Sequence, residues 1–320
     1  MSTVYFIVQQ TMFFAIPLLI VALGGMFSER GGVVNIALEG LMVFGAFTSI
    51  LFINRVQASN IDLAPQLLLV TAILIAGLSG LILSLLHAYA SVNMKADQVI
   101  SGTAINMLTP ALAIFVARMI QRVQQIQFSD SFRIPSVPIL GDIPVLGNLF
   151  FQNTYTTTYL GLSILVVSAI VLYRTRFGMR LRACGEHPQA ADSVGISVYK
   201  IRYAGVMISG FLAGIGGLVF VIPTSTNFSA TVSGYGFLAL AVLIFGQWKP
   251  KRVLFAAFFF GLMMTIAASY TGIPMLRALG IPNRIYKMIP YVATLLVLAF
   301  TSKKSQAPKA LGVPYDKGAR

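Results

Sequence analysis

An acidic side chain stands in one of the most apolar parts of the chain. Glu39 lies eight residues after Gly31, inside the apolar stretch from Gly31 to Phe47. Asn35 precedes it by four residues, so on a helix the two side chains share one face. An ionisable group inside a bilayer costs at least ~2.5 kcal/mol and usually faces a bundle interior or a watery path. We therefore expect Asn35 and Glu39 either to line a path or gate for a polar molecule, or to form a satisfied structural contact.

Other familiar kinds of chemistry are not indicated by the sequence. His87 and His187 have no third ligand at a metal-like spacing and are interpreted as structural, and Cys184 is the only cysteine. No Gly-x-x-x-x-Gly-Lys-Ser/Thr loop and no nucleophile motif is present. The chain is therefore predicted not to be an enzyme, and any energy from ATP must come from another subunit.

The composition predicts an integral membrane protein. The 320 residues have a mean hydropathy of +0.83 and only 10% charged side chains. Nine apolar runs approach the roughly 20 residues that cross a bilayer as a helix: 4–26, 33–53, 66–92, 98–120, 154–173, 201–223, 234–248, 253–272 and 286–301. Because two glycines directly precede 33–53 and 234–248 is short, either can be broken or re-entrant. The predicted fold is an all-α, polytopic bundle of about 8–10 spans.

The net charge of +14 reflects topology rather than nucleic-acid binding. The positive residues collect in loops that alternation of the nine spans places on one side, at 27–32, 93–97, 174–200, 249–252 and in the tail. An excess of Lys and Arg marks cytoplasmic loops. We therefore expect a multi-pass membrane protein with the N-terminus outside and the C-terminus in the cytoplasm. Trp248 is interpreted as an interfacial anchor.

Two regions outside the spans divide the chain. Residues 1–301 form the predicted transmembrane domain, and its external segment 121–153 is broken by prolines but carries apolar side chains between Ile134 and Leu146 that are expected to pack on the bundle. This segment is predicted to be either a capping lid or a surface for a partner. The cytoplasmic tail 302–320 is expected to be a flexible end.

The cytoplasmic loop 174–200 contains a predicted short helix. Pro188 can begin it, Gly195 can end it, and Ala190, Ala191 and Val194 give it an apolar face. The loop is either a docking element for a partner or a solvated basic loop. A second, weaker pattern is the pair of glycine-rich entries Gly31–Ala46 and Gly234–Gly246, which either form an internal repeat flanking a substrate path or simply allow close helix packing.

Three segments of the chain resemble one family. They are 32–40 (GVVNIALEG), 185–196 (GEHPQAADSVGI) and 209–217 (SGFLAGIGG), and the resemblance runs from about residue 10 to about residue 300. The family is that of the permeases of ATP-binding-cassette (ABC) importers for branched-chain amino acids, simple sugars and nucleosides. The match is most similar to nucleoside importers that work with a basic-membrane-protein-type lipoprotein.

The resemblance implies a permease subunit in the cell membrane of a prokaryote that forms half of a translocation pathway. It implies a second, related permease chain, ABC ATPase subunits that hold ATP and magnesium, an extracytoplasmic substrate-binding lipoprotein and the lipid bilayer as partners, with no cofactor in this chain. Residues 185–196 would couple to the ATPase through Gly185, Glu186, His187, Pro188, Ala190, Ala191, Asp192 and Gly195.

Nucleosides are neutral, so hydrogen-bonding groups and aromatic faces suit their path. The predicted pathway or gate residues are Asn35, Glu39, Phe44, Phe47, Tyr235 and Phe237. Three alternatives stay open: a simple sugar importer, a branched-chain amino acid importer, and an ion-coupled carrier that uses Glu39 as its ion site.

Overall fold

The computed structural model is an all-helical bundle in which every predicted apolar run contains a helix. It describes residues 2–59, 63–270, 280, 282–301 and 306–318. The last two residues of the predicted run 253–272 and part of the tail lie outside the described residues. The helices are α1 (Ser2–Arg30), α2 (Leu38–Ala58), α3 (Pro65–Ala88), α4 (Gln98–Gln121), α5 (Thr156–Arg174), α6 (Arg176–Glu186), α7 (Pro188–Ser193), α8 (Val198–Thr224), α9 (Tyr235–Phe245), α10 (Pro250–Ser269) and α11 (Asn283–Thr301).

Seven of the described helices are long and apolar enough to cross a membrane, namely α1 to α5, α8 and α10. By contrast, α9 has only 11 residues. At 1.5 Å per residue it is about 16 Å long, roughly half of the ~30 Å hydrocarbon core. The prediction of an all-α polytopic bundle is therefore confirmed. Seven described helices reach spanning length, where about 8–10 spans were predicted, and the predicted short run 234–248 contains α9.

The centre of the bundle is formed by α1, α2, α3 and α8, which carry most of the fully buried side chains. Helix α8 approaches α2 and α3 very closely because glycines face each other at the crossings. A Cβ on Gly45 would lie 2.4 Å from the Cα of Gly214, and a Cβ on Gly80 would lie 2.3 Å from the carbonyl oxygen of Gly210. Any larger residue at these crossings would force the helices apart.

The five basic segments lie at one end of the bundle, as alternation of the spans predicts. We call this the basic end and define it as residues 27–32, 93–97, 174–200, 247–252 and 306–318. The Arg30 guanidinium donates to the carbonyl oxygen of Trp248 at 2.9 Å, and Lys95 forms an ion pair with Asp316 at 2.8 Å. These contacts join segments that are far apart in sequence.

The opposite end carries two short antiparallel strand pairs, and we call it the strand end. Strand β1 (Ile126–Gln127) pairs with β4 (Asn227–Phe228), and β2 (Arg133–Ser136) pairs with β3 (Gln152–Tyr155).

The packing predicted for the external segment 121–153 is partly wrong. Ile126, Phe128 and Phe132 pack into the core, whereas Ile139 is 83% exposed and Leu146 is 50% exposed. The reason is the β2–β3 pairing, which projects residues 137–147 away from the bundle as a tip.

The tail also differs from the expected flexible end. Ala310 and Tyr315 are buried, and the tail makes backbone hydrogen bonds to two segments of the basic end. Ala310 and the ring of Tyr315 provide the apolar contacts that hold the tail, which its content of Lys, Pro and Gly does not indicate.

Candidate functional site

The chain leaves helical geometry between α1 and α2. Residues 31–37 form turns and an irregular segment, whose backbone is bound by polar side chains of neighbouring helices. His87 Nε2 lies 2.9 Å from the carbonyl oxygen of Val34, and the N–H of Val34 donates to Gln98 Oε1 at 2.7 Å. Asn106 accepts from the N–H of Gly40 and donates to the carbonyl oxygen of Ile36. Irregular backbone is tolerated inside a membrane only when it is satisfied in this way.

Asn35 lies in this break, so the predicted helical stripe of Asn35 and Glu39 is wrong. Helix α2 begins only at Leu38. Asn35 is fully buried and its amide donates to the Ser209 hydroxyl of α8 at 2.8 Å. Glu39, in the first turn of α2, turns toward another helix.

Glu39 caps the N-terminus of the half-length helix α9. Its Oε1 accepts from the N–H of Gly234 at 2.9 Å and its Oε2 accepts from the N–H of Gly236 at 2.6 Å. The first N–H groups of a helix have no partner within the helix and carry partial positive charge, so a carboxylate stabilises them. Gly236 permits the approach, since a Cβ there would lie 2.3 Å from the nitrogen of Glu39. Glu39 thus fixes α9 from a distance of 195 residues in sequence.

The other end of α9 is held by the residues that end α1. The indole Nε1 of Trp248 donates to Glu29 Oε2 at 2.6 Å, and Arg30 donates to the carbonyl oxygen of Trp248. Trp248 is only 4% exposed, so its interpretation as an interfacial anchor is wrong. Glu29 and Glu39 flank the break at 31–37 on either side. The residues on the two sides of the break therefore hold the two ends of α9: Glu39 holds its N-terminus, and Glu29 holds Trp248 just after its C-terminus.

The N-terminus of α9 consequently lies deep in the bundle. Trp248 is at the basic end, and the helix rises about 16 Å from there to Gly234, close to half of the ~30 Å hydrocarbon core. The break after Gly31 and the entry at Gly234, which the sequence paired as two glycine-rich entries, meet at this point. Their origin as an internal repeat stays a prediction.

A cleft of about 400 Å³ adjoins the N-terminus of α9. It is predominantly apolar and lies between α9, α10 and α11. Its hydroxyl-bearing or aromatic lining residues are Ser233, Tyr235, Phe237, Tyr291 and Thr294. The buried hydroxyl of Tyr235 has no hydrogen-bond partner among the residues that the structure describes. Clefts of this size and lining are typical of small-molecule sites.

The six predicted pathway residues fall into two groups. Glu39, Tyr235 and Phe237 lie around the N-terminus of α9, and Phe237 is 51% exposed. Asn35, Phe44 and Phe47 do not line the cleft. Phe47 is buried in the core and Phe44 packs against it, because α2 turns this face toward its neighbouring helices.

Sequence reasoning missed the residues that support the break. Gln98 and Asn106 bind its backbone, and Glu29 binds Trp248. Polar side chains eight positions apart in the apolar run 98–120 were the available signal. His87, interpreted as structural, has both ring nitrogens within 3.0 Å of oxygen atoms of Ser101 and Val34.

The predicted short helix of the basic loop is present as α7. Pro188 occupies its first turn, and the helix ends in a Schellman motif in which Gly195 has φ +83°. The N–H of Gly195 donates to the carbonyl oxygen of Asp192, and the N–H of Ile196 donates to the carbonyl oxygen of Ala191. The sequence pattern therefore identified the local structure correctly.

The predicted coupling residues are divided between two faces of this segment. Gly185, Pro188 and Ala191 are buried, Glu186 and Asp192 are half-buried, and His187, Ala190 and Gly195 are exposed. Val194 is 74% exposed. A Cβ on Gly185 would lie 2.2 Å from the carbonyl oxygen of Arg30. The segment thus rests directly on the end of α1 and presents Ala190 and Val194 outward.

Replacement of Trp248 by Phe tests the clamp at the basic end of α9. The variant leaves the buried Glu29 carboxylate without its donor, which costs about 1–3 kcal/mol. We expect a lower thermal unfolding temperature in detergent. In a double-mutant cycle, Trp248→Phe should lower the unfolding temperature less in the Glu29→Gln background than in the wild-type background, because the two residues interact. Fully additive effects would contradict the clamp.

The fold and the site define a class of protein. A polytopic helical bundle with a half-length helix, an adjoining cleft and an exposed helix at its basic end has the organisation of a membrane permease. Residues 7–298 match the family described as branched-chain amino acid transport system / permease component. The chain belongs to this family of ABC transporter permeases.

Individual relatives cover almost the whole chain. The Guanosine ABC transporter permease protein NupQ of Bacillus subtilis is 45% identical over 98% of this chain and 97% of the relative. The Nucleoside ABC transporter permease protein NupC of Lactococcus lactis is 41% identical over 99% of this chain and 98% of the relative. The Nucleoside ABC transporter permease protein NupB of the same organism is 25% identical over 95% of this chain and 84% of the relative. No solved structure matches this chain.

Proposed function

We propose that this chain is a permease subunit of an ATP-driven nucleoside importer and forms half of its translocation pathway. The observation that carries the proposal is the half-length helix α9, whose N-terminus is held by Glu39 beside a cleft of about 400 Å³. The names of NupQ and NupC supply the substrate class, since both relatives align with nearly the whole chain.

The lining of the cleft suits a neutral molecule with a flat ring. Tyr235, Phe237 and Tyr291 offer aromatic faces, and Ser233 and Thr294 offer hydroxyl groups. None of the described residues that line the cleft is charged. Aromatic faces with a few hydroxyl groups match a nucleobase and its sugar, whereas an amino acid zwitterion requires charged partners. Tyr235 and Phe237 are therefore proposed as pathway residues, and Glu39 as the residue that positions them.

The basic end is proposed to face the cytoplasm, because Lys and Arg are enriched in cytoplasmic loops. The N-terminus is then outside and the C-terminus inside. On this side, α7 presents Ala190 and Val194 to ABC ATPase subunits, which would hold ATP and magnesium. Closure of the ATPase subunits would push on α7 and, through Gly185 and Arg30, on the end of α1.

Two further partners are proposed. A second permease chain would complete the pathway, which agrees with two differently named nucleoside permeases, NupC and NupB, in one relative's organism. At the strand end, the exposed apolar side chains Ile139, Val145 and Leu146 offer a surface for a substrate-binding lipoprotein.

Uptake by the complete complex tests the proposal. In proteoliposomes that contain this permease, its partner permease, the ATPase subunits and the binding protein, we expect ATP-dependent uptake of labelled nucleosides. Ribose, glucose and branched-chain amino acids should not compete. Uptake that persists without ATP and collapses with an ionophore would instead support an ion-coupled carrier.

A matched pair of aromatic substitutions tests the position of the pathway. Phe237→Ala removes a ring from the cleft, and base–ring stacking is worth about 1–3 kcal/mol, so nucleoside uptake at low concentration should fall about tenfold. Phe255 on α10 is 73% exposed and lies outside the cleft lining. Phe255→Ala should leave uptake unchanged. Equal effects of the two variants would argue against this cleft.

A further inference from the structure

The tail crosses the basic end and contacts most of its elements. The N–H of Gln306 donates to Gln247 Oε1, next to α9. Tyr315 is 5% exposed and packs edge-on against Tyr199 of α8, with ring centroids 5.6 Å apart. Asp316 pairs with Lys95, between α3 and α4. We call residues 306–318 the strap.

Three residues at the centre of the strap, Ala310, Gly312 and Val313, bind three different elements. The N–H of Ala310 donates to the carbonyl oxygen of Gly185 at 2.8 Å, and the N–H of Gly312 donates to the carbonyl oxygen of Gly32 at 3.1 Å. The carbonyl oxygen of Val313 accepts from Arg202 Nη1 of α8 at 3.0 Å. Gly185 opens the segment 185–196, and Gly32 stands in the break before α2. The strap therefore bridges these two places directly.

Arg202 depends on the strap for its hydrogen bonding. This side chain is only 1% exposed. Within the part of the chain that the structure describes, its Nε and Nη2 atoms have no partner, so the bond to Val313 is the one hydrogen bond of the guanidinium. A buried cation that loses its acceptor destabilises its surroundings strongly. The strap is thus part of the structure of the basic end and not an appendage.

We infer that the strap is a mechanical tie of the transport cycle, in which Ala310, Gly312 and Val313 position the segment 185–196 relative to the break at 31–37. This inference rests on the proposed coupling of α7 to ATPase subunits. A push on α7 reaches Gly185, passes through the strap to Gly32, and from the break reaches Glu39 and α9. The strap stays docked while the segment 185–196 and the break move together. The reason is that only one residue of strap backbone separates the bond to Gly185 from the bond to Gly32.

Removal of the strap should separate ATP hydrolysis from transport. A stop codon in place of Gln306 deletes it in the complete importer complex. We expect a lower yield of assembled complex, because Arg202 loses its acceptor. The fraction that assembles should still hydrolyse ATP, with uptake per ATP reduced at least tenfold. Unchanged uptake per ATP would overturn the inference.

A cross-link tests the same inference with every strap contact except the ion pair intact. Lys95→Cys and Asp316→Cys, bridged by a short bifunctional maleimide, lock the strap in its docked position. Burial raises the pKa of the Cys184 thiol to about 11, so this native cysteine stays protonated and unreactive at neutral pH. We expect the cross-linked complex to transport at the rate of the uncross-linked double variant. Loss of uptake on cross-linking would show a strap that must release, and would overturn the tie.

These outcomes are distinguishable from a failure of the proposed function. If the unmodified complex takes up no nucleoside in the presence of ATP, the proposed function fails before the strap is tested. A second case is that the unmodified complex takes up nucleoside, and Ala190→Asp uncouples hydrolysis from transport while the truncation at Gln306 does not. In that case the docking of α7 stands and the strap inference alone is wrong.

Discussion

Glu39→Gln is expected to reduce nucleoside uptake at least tenfold while the complex still assembles. The carboxylate uses both of its oxygens, one for Gly234 and one for Gly236. A glutamine side chain has one acceptor oxygen, and its NH₂ group would face the second N–H donor. An unsatisfied buried donor costs about 1–3 kcal/mol, which is enough to displace the N-terminus of α9 and the cleft beside it.

The chain offers a matched control for this substitution. Asp97 also caps a helix, α4, but a single oxygen, Oδ1, accepts from both Val99 and Ile100. Asn keeps such an oxygen and is itself a favourable N-cap residue. Asp97→Asn should therefore transport at the wild-type rate, although it removes the same charge.

Two results would refute this role of Glu39. If Glu39→Gln transports normally, the two-oxygen cap is dispensable. If Glu39→Gln and Asp97→Asn fail alike, loss of negative charge is the cause rather than loss of the second acceptor. Solvent exchange of the Gly234 and Gly236 amides gives an independent readout, since the Gln variant should expose at least one of them.

Ala190→Asp and Ala191→Asp are expected to fail in different ways. Ala190 is exposed on α7, so a new carboxylate there leaves the fold intact and disturbs only a docked partner. We expect normal membrane insertion and purification, with loss of transport-coupled ATP hydrolysis. Ala191 is 3% exposed and packs near Tyr315 and Cys184. A carboxylate buried there has no partner, so Ala191→Asp should lower the yield of folded protein.

The same substitution at the strand end provides the control. Ala64 is an exposed residue that stands as the N-cap of α3, where Asp is favourable. Ala64→Asp should preserve both stability and coupling. If Ala190→Asp keeps wild-type coupling, α7 is not the docking element. A loss of folded protein in Ala190→Asp would instead mean that the Ala190 side chain is not exposed in the folded protein.

Local patterns in the sequence predicted the helices and the end at which the basic segments lie. Pro188 and Gly195 marked the limits of α7 because each constrains the backbone by its own covalent structure. The succession of apolar spans predicted that Arg30, Lys95 and the segment 174–200 lie at the same end of the bundle. Successive spans cross the bilayer in opposite directions, so every second loop lies on the same side. These predictions rest on short stretches of sequence: a proline and a glycine for α7, and the succession of apolar runs for the basic end.

Features that depend on distant residues were not predictable in this way. Spacing placed Asn35 and Glu39 on one helical face, but the side chains of His87, Gln98 and Asn106 stabilise the irregular backbone instead. The pairing of the two glycine-rich entries did not indicate that the Glu39 carboxylate binds N–H groups 195 and 197 residues later. Likewise, Ala190 and Ala191 look equivalent until the strap covers one of them.

The clamp on α9 has a consequence for how the protein is made. The helix is too short to hold a transmembrane position by itself, and its partners Glu29 and Glu39 are synthesised about two hundred residues earlier. It can settle only against α1 and α2 once they stand in the membrane with the break between them formed. The side chains that support the break, His87, Gln98 and Asn106, also precede α9 in the sequence. We therefore expect α9 to dock after α1 to α4 have inserted.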